Sequence, residues 1–169
     1  VLKIVEKTQK LNIPLVIDAD ALKAISTNLD KLITSQIVLT PHQGEFQIIS
    51  GSDLTNFDLK TKVTSVVEFA KKIGVTILLK GHEDIVSNGK NIKINLTGTP
   101  AMTVGGTGDV LTGIIACLIG QKIDVFEAAA SAAFINGRAG ELASKKYYGN
   151  HLMATDLIDL IPKAMKIES

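Results

Sequence analysis

Thr103–Gly120 reads TVGGTGDVLTGIIACLIG: three glycines within four residues, then an aspartate, then an apolar run at helical spacing. Glycine backbone allows close approach and positive φ. At a helix start it suits an anion, because first-turn amides lack intrahelical partners and the helix dipole is positive there. The stretch predicts a helix over about Asp109 to Ile119, preceded by a cradle of the Gly106, Thr107 and Gly108 amides. It is neither of the common phosphate fingerprints. G-x-G-x-x-G fails because Leu111 stands where the last glycine belongs, and no G-K-[ST] follows as a Walker loop would need.

Working outward, short β-branched runs alternate with helical patterns. PLVID, QIVLT and VTILLK read as buried strands. Leu2, Ile4, Val5 and Leu11 suit an amphipathic helix that Pro14 would stop. ADALKAIS and GEFQIISG read as helices, the latter closed by Gly51. Asp58 to Ile73 is another, closed by Gly74. EDIVSNGKNIKINL alternates about Asn88-Gly89, the pair favoured in a type I′ hairpin. Helices are predicted at about Asp124 to Lys146 and about Thr155 to Ile167, with Pro162 as a kink or break. The pattern implies an α/β sandwich with a largely parallel sheet, which places ligands beyond the C-terminal strand ends. Asp18 to Asp20, Thr40 to Glu45 and Lys80 to Asp84 all fall there.

The side chains at those ends admit two readings each. Asp109 is either a helix-start cap and dipole partner or a general base for a hydroxyl attacking bound phosphate. Glu45 is a first-turn charge or a magnesium-linked carboxylate acting through water, and His42 is a loop residue or a substrate contact. A zinc site lacks further ligands in pattern. Lys80 is a surface lysine or a phosphate contact. Asp18 is a strand-end carboxylate and Asp20 a helix cap, while His82 and His151 read as surface residues.

Composition bounds the answer. The 169 residues are 46% hydrophobic and 21% charged with a formal net charge of +1, so nothing suggests a nucleic-acid surface. No apolar run approaches the roughly 20 residues needed to span a bilayer, and no secretory signal is evident. Cys117, the one cysteine, reads as a core residue, which fits a reducing cytoplasm.

Taken together, VIDADAL, LTPHQGEF, LLKG and NLTGTPAMTVGGTGDVLTGIIACLIGQ resemble the ADP/ATP-dependent NAD(P)H-hydrate dehydratases of the ribokinase-like superfamily, in order from about Pro14 to Pro162. The resemblance implies a three-layer ribokinase-like sandwich. It also implies repair of hydrated NADH or NADPH, with ADP or ATP phosphorylating the added hydroxyl and phosphate then leaving. Carried over by motif, Asp109 is the base, and His42, Gly44, Glu45 and Asp109 face the hydrated dinucleotide. Lys80, Gly81, His82, Glu83 and Asp84, with Gly105, Gly106, Thr107 and Gly108, face the nucleotide; Glu45 also answers to the Mg2+-linked glutamate. Asp84 departs from the threonine common at its position.

Family catalytic domains are longer, so residues 1–169 are expected to be the C-terminal portion of one such domain. A fused N-terminal epimerase domain, a homo-oligomer and a cytoplasmic location are further implications. Two rival readings stay open. One is a ribokinase-like kinase for a hydroxymethylpyrimidine or hydroxyethylthiazole; the other is a nucleotide-binding subunit without catalysis.

Overall fold

The structure is a computed structural model and describes residues 1–147 and 151–166. In chain order the elements are α1 (Leu2–Lys10), β1 (Leu15–Ile17), α2 (Asp20–Ile25), β2 (Ile37–Leu39), α3 (Gln43–Ser50) and α4 (Leu59–Ile73). There follow β3 (Thr76–Leu79), β4 (Asp84–Ser87), β5 (Ile92–Asn95), α5 (Thr107–Gly120), α6 (Val125–Lys146) and α7 (Ala154–Ala164). Short 3₁₀ turns at Leu29–Lys31 and Pro100–Met102, absent from the sequence pattern, complete the chain.

The strands form one sheet in the order β1-β2-β3-β4-β5. β1, β2 and β3 pair in parallel, Leu15 with Ile37 and Val38 with Thr76, while β3-β4 and β4-β5 are antiparallel. The sheet is therefore mixed, parallel only in its first three strands, because the hairpin supplies two of the five. Strand alternation splits the core in two. Val38, Leu78 and Val86 face α5, α6 and α7. Ile37, Leu39, Ile77, Leu79 and Ile85 face the layer of α1 to α4. The result is three layers with helices on both faces of the sheet.

Local chemistry sets the ends. Asp58 caps α4 by accepting from the Thr61 amide at 2.8 Å, and Gly74 ends it at φ 72°. Asp124 caps α6 by accepting from the Phe126 and Glu127 amides. The alanines of α6 leave little side-chain bulk, so α5 and α7 pack close along it.

Several expectations change. α1 stops at Lys10, before Pro14, as the chain turns through Asn12 at φ 53°. Asp20 does not cap α2: Ala19 holds the cap position, and Asp20 instead pairs with Lys23 at 2.9 Å. The hairpin loop has four residues, Asn88 to Asn91, not two. Asn88 Oδ1 accepts from the Lys90 and Asn91 amides, and Gly89 sits so close to α4 that a Cβ would come within 2.5 Å of the Lys71 Cα. Pro162 lies within α7, which continues to Ala164; the end expected at Ile167 lies outside the described residues. Cys117 is exposed on the outer face of α5, where its neighbours Leu118 and Ile114 turn inward.

Candidate active site

The parallel strands deliver three segments to one edge. Thr40 follows β2 and donates its amide to the Ile17 carbonyl of β1. Lys80 follows β3 and donates its amide to the Pro41 carbonyl at 2.8 Å, so the chain after β2 and the chain after β3 stay paired as far as His42 and Lys80. Asp18, His42 and Lys80 are thus held side by side by main-chain bonds before any side chain acts.

His42 and Glu45 satisfy one another across the start of α3. The Glu45 amide donates to His42 Nδ1 at 3.2 Å, and the His42 amide donates to Glu45 Oε2 at 2.9 Å. This is a capping box with histidine in the usual place of serine or threonine. It explains why Glu45 is buried, and Gly44 lies under the ring, where a Cβ would come within 3.2 Å of His42 Cε1.

Lys80 is no lone surface lysine. Its Nζ lies 2.7 Å from Asp18 Oδ1 and 3.9 Å from Glu45 Oε2, and the Thr112 hydroxyl donates to Asp18 Oδ2 at 3.1 Å. A Cβ built on Gly108 would sit 3.5 Å from Lys80 Nζ, so the start of α5 meets this cluster directly. Sequence reasoning singled out Asp18 without assigning it and missed Thr112; the acid closing VID is the signal that pointed there.

Gly106 ends the glycine run at φ 94°, and Thr107, Gly108 and Asp109 form the first turn of α5. The helix begins two residues earlier than its apolar pattern suggested. No side chain caps it, and the Thr107 hydroxyl instead donates back to the Met102 and Val104 carbonyls, bracing the loop. Asp109 is exposed and makes no side-chain hydrogen bond among the described residues, so it is not a cap.

A cavity of about 740 Å³ opens beside this helix start. Lys80, Gly81, His82, Asp84, Thr107, Gly108 and His42 line it. Glu83, Gly105 and Gly106 do not, and Asp109 and Glu45 stand outside it. His82 is exposed at the rim and pairs with Glu83 at 3.0 Å. Asp84 accepts from the Gly81 amide at 3.1 Å and from Asn95 Nδ2 at 3.0 Å, fixing the turn after Lys80. Burial pushes its carboxyl above the ordinary value of 3.8, against the opposing pull of those bonds and of Lys80. The remaining wall is the strap of residues 96–104 with Asn136 and Gly137 of α6; the strap's sequence reads as a family signature, but its place in the cavity and the α6 residues are not foreseen from it. It carries no charge, and only α6 packing brings it here.

No cluster of three or more metal-ligating side chains exists among the described residues. Glu45, already engaged by the His42 amide, the His42 ring and Lys80, keeps spare lone pairs for a bound water. That donor set suits Mg2+ held mainly by phosphate and water, with Glu45 behind it.

The family model for NAD(P)H-hydrate dehydratase matches residues 1–163. The chain belongs to the NAD(P)H-hydrate dehydratase family. It is 47% identical over 152 residues to a bifunctional NAD(P)H-hydrate repair enzyme of Pyrobaculum aerophilum, covering 90% of this chain and 29% of that one. Among solved structures, a ribokinase-like superfamily protein from Enterococcus faecalis superposes with a TM-score of 0.78 at 30% identity, over 90% of this chain and 52% of that one. The ADP/ATP-dependent NAD(P)H-hydrate dehydratase of Bacillus subtilis, co-crystallized with ATP/Mg2+, gives 0.76 at 29% identity, over 90% and 54%. The α/β fold is thus ribokinase-like, and the chain spans less than a third of the bifunctional relative and about half of each of the two solved chains.

Proposed function

We propose that the full-length protein carrying this chain dehydrates hydrated NADH or NADPH at the expense of ADP or ATP. One observation carries the reading. A lysine held by Asp18 meets the uncapped start of α5 at the cavity, and an unpaired carboxylate, Asp109, follows in the first turn of that helix. The cavity takes the nucleotide, with the Thr107 and Gly108 amides and Lys80 receiving its terminal phosphate. Asp109, outside the cavity, faces the second substrate. His42, which also lines the cavity, joins Gly44 and Glu45 in contacting that substrate in this reading.

Asp109 accepts the proton of the added hydroxyl as its oxygen attacks the terminal phosphorus. The bond to the leaving nucleotide breaks, releasing ADP from ATP or AMP from ADP. The original carbon–oxygen bond of the ring then breaks, phosphate leaving with the bonding pair as the ring nitrogen lone pair forms an iminium, and loss of a proton from the neighbouring carbon restores the ring double bond. Mg2+ would neutralise phosphate charge at this point, with Glu45 and Asp18 as the nearby carboxylates.

Residues 1–169 form the C-terminal portion of the dehydratase domain in this reading. The relative's name is that of a bifunctional enzyme; an epimerase domain elsewhere in the polypeptide and a cytoplasmic homo-oligomer complete the proposal. No helix among the described residues is long and apolar enough to cross a membrane.

The test is turnover of hydrated NADPH by the full-length protein with ADP or ATP, read as recovered NADPH absorbance with phosphate release. Phosphorylated product that accumulates without NADPH would favour the vitamin-precursor kinase. Nucleotide binding with no turnover of either kind would favour the non-catalytic subunit.

A further inference from the structure

Asn136 of α6 lines the cavity beside Gly137, Thr97 and Gly98, yet no step above uses it. The residue is 7% exposed. Its Oδ1 is shielded from solvent and has no hydrogen-bond partner among the described residues. Native interiors rarely leave a buried carbonyl oxygen in that condition, because its desolvation then goes uncompensated.

The polar neighbours cannot relieve it. The Thr97 hydroxyl donates to Asn95 Oδ1 at 2.8 Å and to the Phe134 carbonyl at 3.2 Å. Asn95 Nδ2 is shared among Asp84 Oδ2, the Thr97 carbonyl and the Ala133 carbonyl. Every other polar side chain in this part of the wall has a partner, so the Asn136 carboxamide is the group left to meet a ligand. Leu96, Pro100 and Met102 supply apolar surface around it.

The residues assigned to phosphate, Lys80 and the start of α5, meet one another in the same cavity and share no hydrogen bond with Thr97 or Asn95 among the described residues. A nucleotide anchored there extends its base toward the strap and α6. We propose that Asn136 reads the base. After rotation about its last side-chain bond, Oδ1 accepts from the exocyclic amine of adenine and Nδ2 donates to the adjacent ring nitrogen. A carboxamide presents an acceptor and a donor side by side, which is the complement of that edge. The assignment rests on the nucleotide reading of the cavity and adds to it the residue that selects the base.

The test compares ADP with purine riboside diphosphate, which has the same phosphates and ribose but lacks the amine. Titration of the full-length protein should show ADP binding about five- to tenfold tighter, the scale of one hydrogen bond. Asn136→Ala should bind both equally, and more weakly than the wild-type protein binds the purine analogue because the Nδ2 bond to the ring nitrogen is lost as well, with melting curves confirming that it folds. Equal affinities in the wild-type protein, or an undiminished preference in Asn136→Ala, would overturn the base-reading role while leaving the nucleotide site standing. Failure of the wild-type protein to bind ADP at all would overturn both.

Discussion

Asp109, Asp18 and Asp84 are three carboxylates within a short reach of one cavity, and their surroundings give them different work. Asp109 is exposed at the third position of α5 without a hydrogen bond. Replacing it by Asn removes only a dipole interaction worth about 0.3–1 kcal/mol. We expect near-native melting, retained nucleotide binding and a turnover loss of about 10²–10⁴-fold. Near-wild-type turnover by Asp109→Asn would remove it from the base role. Asp18 is different, being almost enclosed with Lys80 and Thr112. Asp18→Asn leaves Lys80 with Glu45 alone at 3.9 Å, so both melting and nucleotide affinity should fall, by about 2–3 kcal/mol of stability. A stable variant with unchanged affinity would show that the pair positions nothing.

Asp84 gives a pH signature. Its carboxyl is raised above 3.8 chiefly by burial, so the folded chain binds that proton more tightly than the unfolded chain. Stability from this group is therefore gained as pH falls through the raised value and is complete below 3.8. The melting temperature of the wild-type protein relative to Asp84→Asn should rise on acidification from neutrality toward the ordinary carboxylate range. A difference that is flat with pH would contradict the assignment.

The elements were legible where pattern and packing agree. The three parallel strands, α4 and α6 follow from apolar spacing and from caps such as Asp58, Gly74 and Asp124. Misreadings occur where backbone geometry outranks side-chain pattern. Gly106 alone takes the left-handed turn, so Thr107 and Gly108 are already helical although they look like loop. Likewise Ser87 and Asn88 side chains stabilise a four-residue turn where Asn-Gly suggested two. The strap residues belong to a legible motif, but their docking on α6 was not readable because close approach holds it. A Cβ at Gly137 would fall on the Thr97 hydroxyl and carbonyl, whereas one at Gly140 meets only the Met102 side chain. Gly137→Ala should thus cost about 1–3 kcal/mol and weaken nucleotide binding, while Gly140→Ala should cost less because Met102 can move. Equal losses in urea melts would show that the strap is not pinned at Thr97.

At the scale of the molecule, the two cores meet only through the sheet, and the site lies where strand ends, α3 and α5 converge. The catalytic candidates could be named from the sequence because each closes a strand or opens a helix. Their grouping follows from parallel topology. The uncharged wall needed the tertiary fold. Ligand linkage offers a check of the whole cavity: ADP or ATP at about 100 times its dissociation constant should stabilise the full-length protein by about 2.7 kcal/mol. No rise in melting temperature with either nucleotide would reject the site.

Gly106 also touches α7: a Cβ there would come within 2.9 Å of Ala154 Cβ. The turn that opens α5 is thus backed by an element far downstream in the chain. During synthesis, Lys80, Gly106 and Gly108 leave the ribosome well before α7 does. A nascent chain halted within α6 would carry Lys80, Gly108 and Asp109 yet lack the surface against which Gly106 is set. Competence to hold a nucleotide should therefore arrive late, with the docking of α7, and not gradually as the motif residues emerge.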